Sequence, residues 1–321
     1  MKKKIILVCG DPNSINSEII YKALKKIKKS IKNKVYLISN YELMKKQFKA
    51  LKYKIKLQQV TSINQETKSD KLKIFDMKLK FKKPFKVKKN EASKYIFKSL
   101  DYAHKLALSA EVGALINCPI SKKLLKKKEF GVTEYLARKN KIIDKSETML
   151  IRNNKLAVCP ITTHSDLKNV SKKISTELIF NKVKKISDWY KICFKKKPKI
   201  AILGLNPHNA ELKKNCEEIR IIIPAIKKLK KINLKVDGPF AADTIFINDY
   251  KKFDVIIGMY HDQVLTPFKT LFKFNAINLT LGLKYMRLSP DHGTAYNLIK
   301  KNKASSESLE ECLKFVSNNI I

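Results

Sequence analysis

Short apolar runs, each closed by polar residues, recur down this chain with helical-period segments between them. Lys4 to Cys9, Val35 to Ser39, Val112 to Cys118, Lys155 to Thr162, Pro198 to Leu205, Val255 to Met259 and Ala276 to Leu281 all read as buried strands. Asn16 to Lys29, Lys173 to Cys193 and Ile219 to Ile232 read as helices. In Glu91 to Ala110 the residues Ala92, Ile96, Leu100, Ala103, Leu106 and Ala107 fall at amphipathic spacing. Strands alternating with helices predict an α/β fold with mainly parallel sheets. Tyr53 to Val87 is Lys-rich and weakly alternating, so extended structure is expected there. A Lys-rich helix is expected after Pro119, and DGPFAADTIF reads as a loop or short helix. Ser305 to Val316 reads as a closing helix capped by Ser305 or Ser306. With no repeat and no tether, two interleaved lobes are expected: 1–130 with 291–321, and 131–290.

The charge balance is extreme, +41 over 321 residues, yet only four of the 69 basic residues are Arg. A nucleic-acid reader uses the Arg fork for bidentate contacts, whereas here Lys is spread along the whole chain. That pattern reads as a solvated basic surface that steers anions, not as a specific nucleic-acid interface. The six cysteines form no C-x-x-C pair and suit a reducing cytoplasm. No apolar stretch nears the roughly 20 residues of a membrane span, and the opening MKKKIILVCGD is too short in apolar residues for a secretion signal.

Chemistry is densest from Asp254 to Leu298. Val255 to Met259 leads into Tyr260, His261, Asp262 and Gln263, at the strand end where ligands sit in open α/β sheets. A second run delivers Asn278 and Thr280, a third delivers Arg287, and Asp291, His292, Gly293 and Thr294 form a polar turn opening a helical segment. Of the five histidines, His104 falls inside an amphipathic helix and reads as structural. His164, His208 and His261 each stand just past an apolar strand, and three imidazoles can hold a divalent metal with a position left open for substrate. Asp166, Asp243 and Asp262 stand near them in sequence and could orient a ring. Arg287 is a candidate carboxylate or phosphate clamp because Arg is so rare here. Thr133 and Glu134 fall near a helix N-terminus, which favours anions.

The blocks GDPNSINSEII, NCPISK, GVTEYLA, ITTHSDL, GLNPHNAE, GPFAADTIF, MYHDQVLTPFK and INLTLGLKYMRLSPDHGTA run nearly end to end. In that order and spacing the chain resembles the 4-hydroxythreonine-4-phosphate dehydrogenase family of vitamin B6 biosynthesis. The resemblance implies an isocitrate/isopropylmalate dehydrogenase-like fold, two α/β/α lobes with an active-site cleft between them, and a homodimer with shared active sites. It implies that His164, His208 and, from the other subunit, His261 hold one divalent ion (Zn, Mg or Co). Thr133, Lys269, Asn278 and Arg287 would hold the phosphorylated substrate. Asp291, His292, Gly293 and Thr294 resemble a loop for NAD or NADP, and no G-x-G-x-x-G occurs.

The implied reaction is metal-assisted, NAD(P)-linked oxidation of 4-phosphohydroxy-L-threonine, followed by decarboxylation to 3-amino-2-oxopropyl phosphate. Lys269, Asp262 and Asp243 are the catalytic candidates, Lys269 as a proton carrier. The chain departs from the family pattern in three places. Ser14 and Asn16 replace glycines of the first turn, and because Asn tolerates left-handed geometry best among non-glycines the turn can survive. Val132 replaces a substrate histidine, and Leu212, Lys213 and Lys214 replace glycines after the NPH block. Val132 leaves open a related dehydrogenase of 4-phospho-D-threonate or erythronate. The reading from another class is a basic nucleic-acid-binding protein on a retired enzyme scaffold.

Overall fold

The structure is a computed structural model, and it describes residues 3–65, 70–125, 131–142 and 147–319. Two compact units are formed, 1–141 with 283–321, and 142–282. The helix carrying Thr133 and the strand carrying Arg287 therefore fall in the first unit, whereas the sequence reading drew both into the second.

In chain order the first unit runs β1 (Lys4–Val8), α1 (Asn16–Lys26), α2 (Lys29–Lys32), β2 (Val35–Ser39), α3 (Tyr41–Ala50), β3 (Leu57–Gln59), β4 (Leu72–Asp76), α4 (Lys89–Ala107), β5 (Val112–Asn117) and α5 (Val132–Lys139). The second unit follows with β6 (Thr148–Arg152), β7 (Ala157–Thr162), α6 (Val170–Lys173), α7 (Thr176–Phe194), β8 (Ile200–Leu203), α8 (Ile223–Lys231), β9 (Val236–Phe240), α9 (Ala242–Ile245), β10 (Val255–Tyr260), α10 (His261–Phe272) and β11 (Ile277–Leu281). The chain then returns to the first unit for β12 (Met286–Pro290) and α11 (Glu307–Asn319).

Strand order in the first unit is β3-β4-β2-β1-β5-β12, every pair parallel. β1, β2 and β5 are almost wholly buried, which is why they read as unbroken apolar runs and not as alternation. One face packs on α4, where Ile6, Val8, Leu115, Ile96, Leu100 and Ala103 share a core. The second unit is ordered β11-β6-β7-β10-β8-β9. There β6 runs antiparallel to both neighbours while β7, β10, β8 and β9 are parallel. Its core, with Ile151, Val158, Ile256, Val264 and Phe268, lies under α10.

Several elements differ from the sequence reading. Tyr41–Ala50 is a helix that the reading missed, started by Asn40, whose side chain accepts from the Leu43 N–H at 2.9 Å. Thr148–Arg152 is also an unread strand. Among the described residues the extended expectation for Tyr53 to Val87 reduces to the short strands β3 and β4. GPF of the expected loop instead belongs to β9. After Pro119 only a 3₁₀ turn at Lys122–Leu124 forms among the described residues, and 126–130 lie outside them. The turn after Arg287 opens no long helix but a 3₁₀ turn, Tyr296–Leu298. Asn16 is not left-handed. It starts α1, and its carboxamide donates to the carbonyls of Cys9 and Pro119 at 2.7 and 2.8 Å, binding the ends of β1 and β5 together. The left-handed residue of that turn is Gly10, φ +78°, where an added Cβ would lie 2.7 Å from the Pro119 carbonyl oxygen.

Candidate active site

In the second unit, lateral order along the sheet decides which strand-end groups can meet. Thr162 at the end of β7 is in register with Tyr260 at the end of β10. The loops carrying His164 and His261 therefore leave neighbouring strands at the same edge. Their rings lie 6.4 Å apart between centroids, inclined by 33°. Within one chain the His261 ring thus stands beside that of His164. His261 is the first residue of α10, and its Nδ1 lies 2.6 Å from Asp262 Oδ1. That contact fixes the ring's orientation, as a carboxylate does for a metal-binding imidazole.

β8 is the next strand over, and His208 follows it within an unusual turn. His208, Asn209, Ala210, Glu211 and Leu212 all have φ between 49 and 57°. Left-handed geometry costs a non-glycine residue about 1 kcal/mol or more, so other contacts must hold this turn. Glu218, wholly buried, accepts the backbone N–H groups of Leu205 and Asn206, both at 2.8 Å, and the Asn206 side chain at 3.0 Å. Burial pushes the Glu218 carboxyl up, but these hydrogen bonds outweigh it and bring it below its ordinary value. Asn209 packs so closely on Gly204 that an added Cβ there would meet its Oδ1 at 2.1 Å. Gln263 fastens the loop to α10, donating to the Gly204 carbonyl at 2.7 Å and accepting from the Met259 N–H at 2.7 Å. His208 Nδ1 comes within 3.8 Å of Asp243 Oδ2, from the segment after β9.

Strand order β7-β10-β8-β9 thus sets out His164, His261, His208 and Asp243 in sequence along one carboxyl edge. Among the described residues no three His, Cys, Asp or Glu side chains are grouped closely enough to hold an ion together. The edge holds two pairs, His164 with His261 and His208 with Asp243. As a donor set, three imidazoles and flanking carboxylates suit zinc or cobalt better than magnesium. Ring centroids on one zinc lie roughly 3 Å from it, given Zn–N of about 2.0–2.1 Å, so the 6.4 Å pair is near the widest that one ion spans. The donor types fit a metal, while the side chains as they stand form these two separate pairs. Asp166 forms no side-chain cap on the turn after it.

Lys269 and Asn278 lie deeper. α10 runs back from the edge, so Lys269, eight residues after His261, is about 12 Å below it at 1.5 Å per residue. Asn278 is in register with Ile151, and Ile151 with Val158, four residues before the end of β7. That places it about 13 Å below the edge at roughly 3.3 Å per residue, on the face that α10 covers. By these backbone estimates Lys269 and Asn278 stand at a similar depth, and the Lys269 Nζ lies 5.9 Å from the centroid of the Phe274 ring. Asn278 Oδ1 is buried with no hydrogen-bond partner, an acceptor suited to a ligand's hydroxyl or ammonium.

In the first unit Arg287, on β12, is 3% exposed. Its Nε and Nη2 both donate to Asn117 Oδ1, at 2.9 and 2.7 Å, and its Nη1 donates to Thr133 Oγ1 at 3.1 Å. Thr133 is the second residue of α5, whose position is fixed where Tyr135 donates to Asp101 at 2.5 Å. Burial pulls the guanidinium down to about 10, against the opposing effect of Glu134, so it stays charged at neutral pH. Val132 packs partly against the apolar core at the start of α5.

The proposed cofactor turn meets the first turn of the chain. Thr294 accepts from the Ile15 N–H at 3.3 Å, and the Asp291 N–H donates to Ser308 Oγ at 2.9 Å. His292 Nδ1 lies 3.0 Å from the Gly293 carbonyl oxygen. A Cβ built on Gly293 would meet nothing within 4 Å, so the turn has room there for a ligand. Asp11, which the sequence reading passed over, joins this group. Tyr296 donates to it at 2.8 Å, and burial raises its carboxyl despite that bond and the Asn13 N–H. Asn117 and Gln263 likewise carry contacts that the sequence alone does not assign. Their signals were the polar residues that close the β5 and β10 runs.

These features define an α/β protein with enzyme-like polar groups gathered at its strand ends. The chain belongs to the family described as Pyridoxal phosphate biosynthetic protein PdxA, which matches residues 30–316. It is 39% identical to the 4-hydroxythreonine-4-phosphate dehydrogenase of Sulfurihydrogenibium sp. (strain YO3AOP1), covering 97% of this chain and 96% of that one. The same-named protein of Aquifex aeolicus is 35% identical, over 99% of this chain and 98% of its own. The crystal structure of 4-hydroxythreonine-4-phosphate dehydrogenase from Klebsiella pneumoniae superposes with a TM-score of 0.85 at 28% identity, covering 98% of each chain.

Proposed function

We propose that this chain oxidises 4-phosphohydroxy-L-threonine with NAD or NADP and releases carbon dioxide, leaving 3-amino-2-oxopropyl phosphate for pyridoxal 5'-phosphate formation. The near-full-length match to relatives bearing that name carries the reading. His164, His208 and His261 would hold a divalent ion, with Asp262 and Asp243 orienting the rings. That ion, when bound, supplies Lewis acidity toward a substrate oxygen. NAD or NADP, when bound, accepts the hydride, and Asp291 to Thr294 would contact it.

The chain's own groups do the rest. Arg287, charged and fixed in plane, would take an anionic end of the substrate, with Thr133 beside it. Asn278 Oδ1 would accept a substrate N–H or O–H. Lys269, at a similar depth to Asn278, would carry the proton that the carbanionic carbon takes up after decarboxylation. We assign a homodimer with shared active sites, in the cytoplasm. No described helix is long and apolar enough to cross a membrane.

The test is NADH or NADPH formation from 4-phosphohydroxy-L-threonine against 4-phospho-D-erythronate, with and without chelator. Turnover of the first, lost with chelator, is the expected result. Activity on neither substrate with metal bound overturns the assignment. Turnover of the sugar acid alone would move it to the related dehydrogenases, the reading that Val132 leaves open.

A further inference from the structure

We infer that Asp11 and Tyr296 are a positioning pair, whose hydrogen bond clamps the turn at 291–294 onto the first turn of the chain and so sets affinity for the nicotinamide cofactor. The inference rests on the reading of 291–294 as the cofactor turn. All of these residues belong to the first unit.

The segment between β12 and α11 has little regular structure to hold it. After Pro290 only the 3₁₀ turn Tyr296–Leu298 forms before α11 begins at Glu307. Ala295, between the cofactor turn and that 3₁₀ turn, is left-handed at φ 44° and ψ 52°. Such geometry is unfavourable for a residue with a Cβ, so contacts on either side must hold it. Both are present, and both reach the first turn. On one side the Thr294 carbonyl accepts from the Ile15 N–H at 3.3 Å, and on the other the Tyr296 hydroxyl donates to Asp11 Oδ2 at 2.8 Å.

The anchor is itself well fixed. The Asp11 side chain is buried, and its Oδ1 accepts the Asn13 N–H at 2.9 Å, which leaves Oδ2 for Tyr296. The Asp11 N–H donates to the Pro119 carbonyl at 3.1 Å, and Asn13 makes two reciprocal bonds with the Val87 backbone, at 2.9 and 2.8 Å. Tyr296, by contrast, is 48% exposed. Its ring adds little to a core, while its hydroxyl reaches inward, with the Ser121 and Thr294 side chains beside it. An ionised carboxylate holds a hydroxyl roughly twice as strongly as a neutral acceptor does, so this bond outranks the longer Thr294 contact in fixing the turn. Gly293 precedes the clamped Thr294, and an added Cβ there would meet nothing within 4 Å. A ligand entering that room meets a turn already in place, which lowers the ordering cost of binding.

The experiment compares Tyr296→Phe, Asp11→Ala, the double variant and Gly293→Val with the native enzyme. It measures Kd for NADH and NADPH by fluorescence titration, KM for both reactants, kcat and thermal midpoint. Y296F removes only the hydroxyl and should raise Kd for the reduced cofactor, and KM for its oxidised form, by about five- to tenfold, the worth of one such bond. Its KM for the phosphorylated substrate, and kcat at saturating cofactor, should stay within about twofold of native. D11A should lose cofactor affinity to a similar degree and lower the midpoint as well, and adding Y296F to it should cost nothing further. A native cofactor Kd in Y296F overturns the inference, as does an equal rise in both KM values, which a merely loosened fold would give. Additive losses in the double variant overturn the pairing. G293V fills the room with a side chain. A native cofactor Kd in G293V refutes the cofactor reading of the turn, whereas a raised Kd there beside a native Kd in Y296F refutes only the role given to Asp11 and Tyr296. Should D11A not fold, Y296F and G293V decide alone.

Discussion

Arg287 is 3% exposed and gives three hydrogen bonds to Asn117 and Thr133, whereas the side chains of His208 and Asp243 are 73% and 57% exposed and approach no closer than 3.8 Å. One charged site is built into a core, and the other stands in solvent on a left-handed turn. In the first, the hydrogen bonds that would position a ligand-binding group also tie β12 to β5 and α5, so deleting the side chain should affect both roles. In the second the titratable groups add little to the fold, and their work depends on what they gather. A single chain should therefore carry one site whose loss destabilises it and one whose loss leaves it folded.

The sharpest test of that separation is His261→Ala. It should lower cobalt or zinc affinity by more than the 10- to 100-fold typical of an outer partner, with unfolding free energy changed by less than about 0.5 kcal/mol. Calorimetric metal titration and urea unfolding measure the two, and a large stability loss would break the comparison. Arg287→Ala should show the opposite balance. We expect kcat/KM to fall on the order of 100-fold and stability to fall by about 2–3 kcal/mol, because Asn117 and Thr133 lose their donors inside a core. Full stability in that variant would place Arg287 with the exposed groups.

A third prediction concerns the support beneath the turn. The folded Glu218 carboxyl lies below its ordinary 4.5, so the unfolded chain takes up that proton more readily. Its stabilisation is fully present above about pH 4.5 and is lost as pH falls through the folded value. Glu218→Gln should cost about 1–2 kcal/mol at pH 7, and the difference from the native chain should shrink toward pH 3 in urea titrations. The smallest effect is expected from Leu212→Gly. Relief of left-handed strain, partly offset by greater freedom of the unfolded chain, should raise stability by about 0.5 kcal/mol. A loss would show that the side chain of Leu212 does more than tolerate its geometry.

Much of this was legible in the sequence because it is local. Buried parallel strands announce themselves as unbroken apolar runs, and three of them deliver a histidine at their ends. Strand neighbours, by contrast, are non-local, and no periodicity in TMLIR distinguishes an antiparallel β6 from a parallel one. The pairing of His208 with Asp243, and the approach of His164 to His261, follow from lateral strand order that the sequence does not print. Asn16 shows a different limit. Its type suggested left-handed backbone, but two carbonyls within reach of its carboxamide made it a fastener at the start of a helix. Asn117 was invisible for a related reason, since its partner lies 170 residues away.

The reversed winding from His208 to Leu212 has one more consequence. A 3₁₀-like coil turns by about 120° per residue in either hand, so removing or adding a single residue would swing everything beyond it by a third of a circle. The length of this segment cannot vary without turning Glu218 and its anchor out of phase with the imidazole they support.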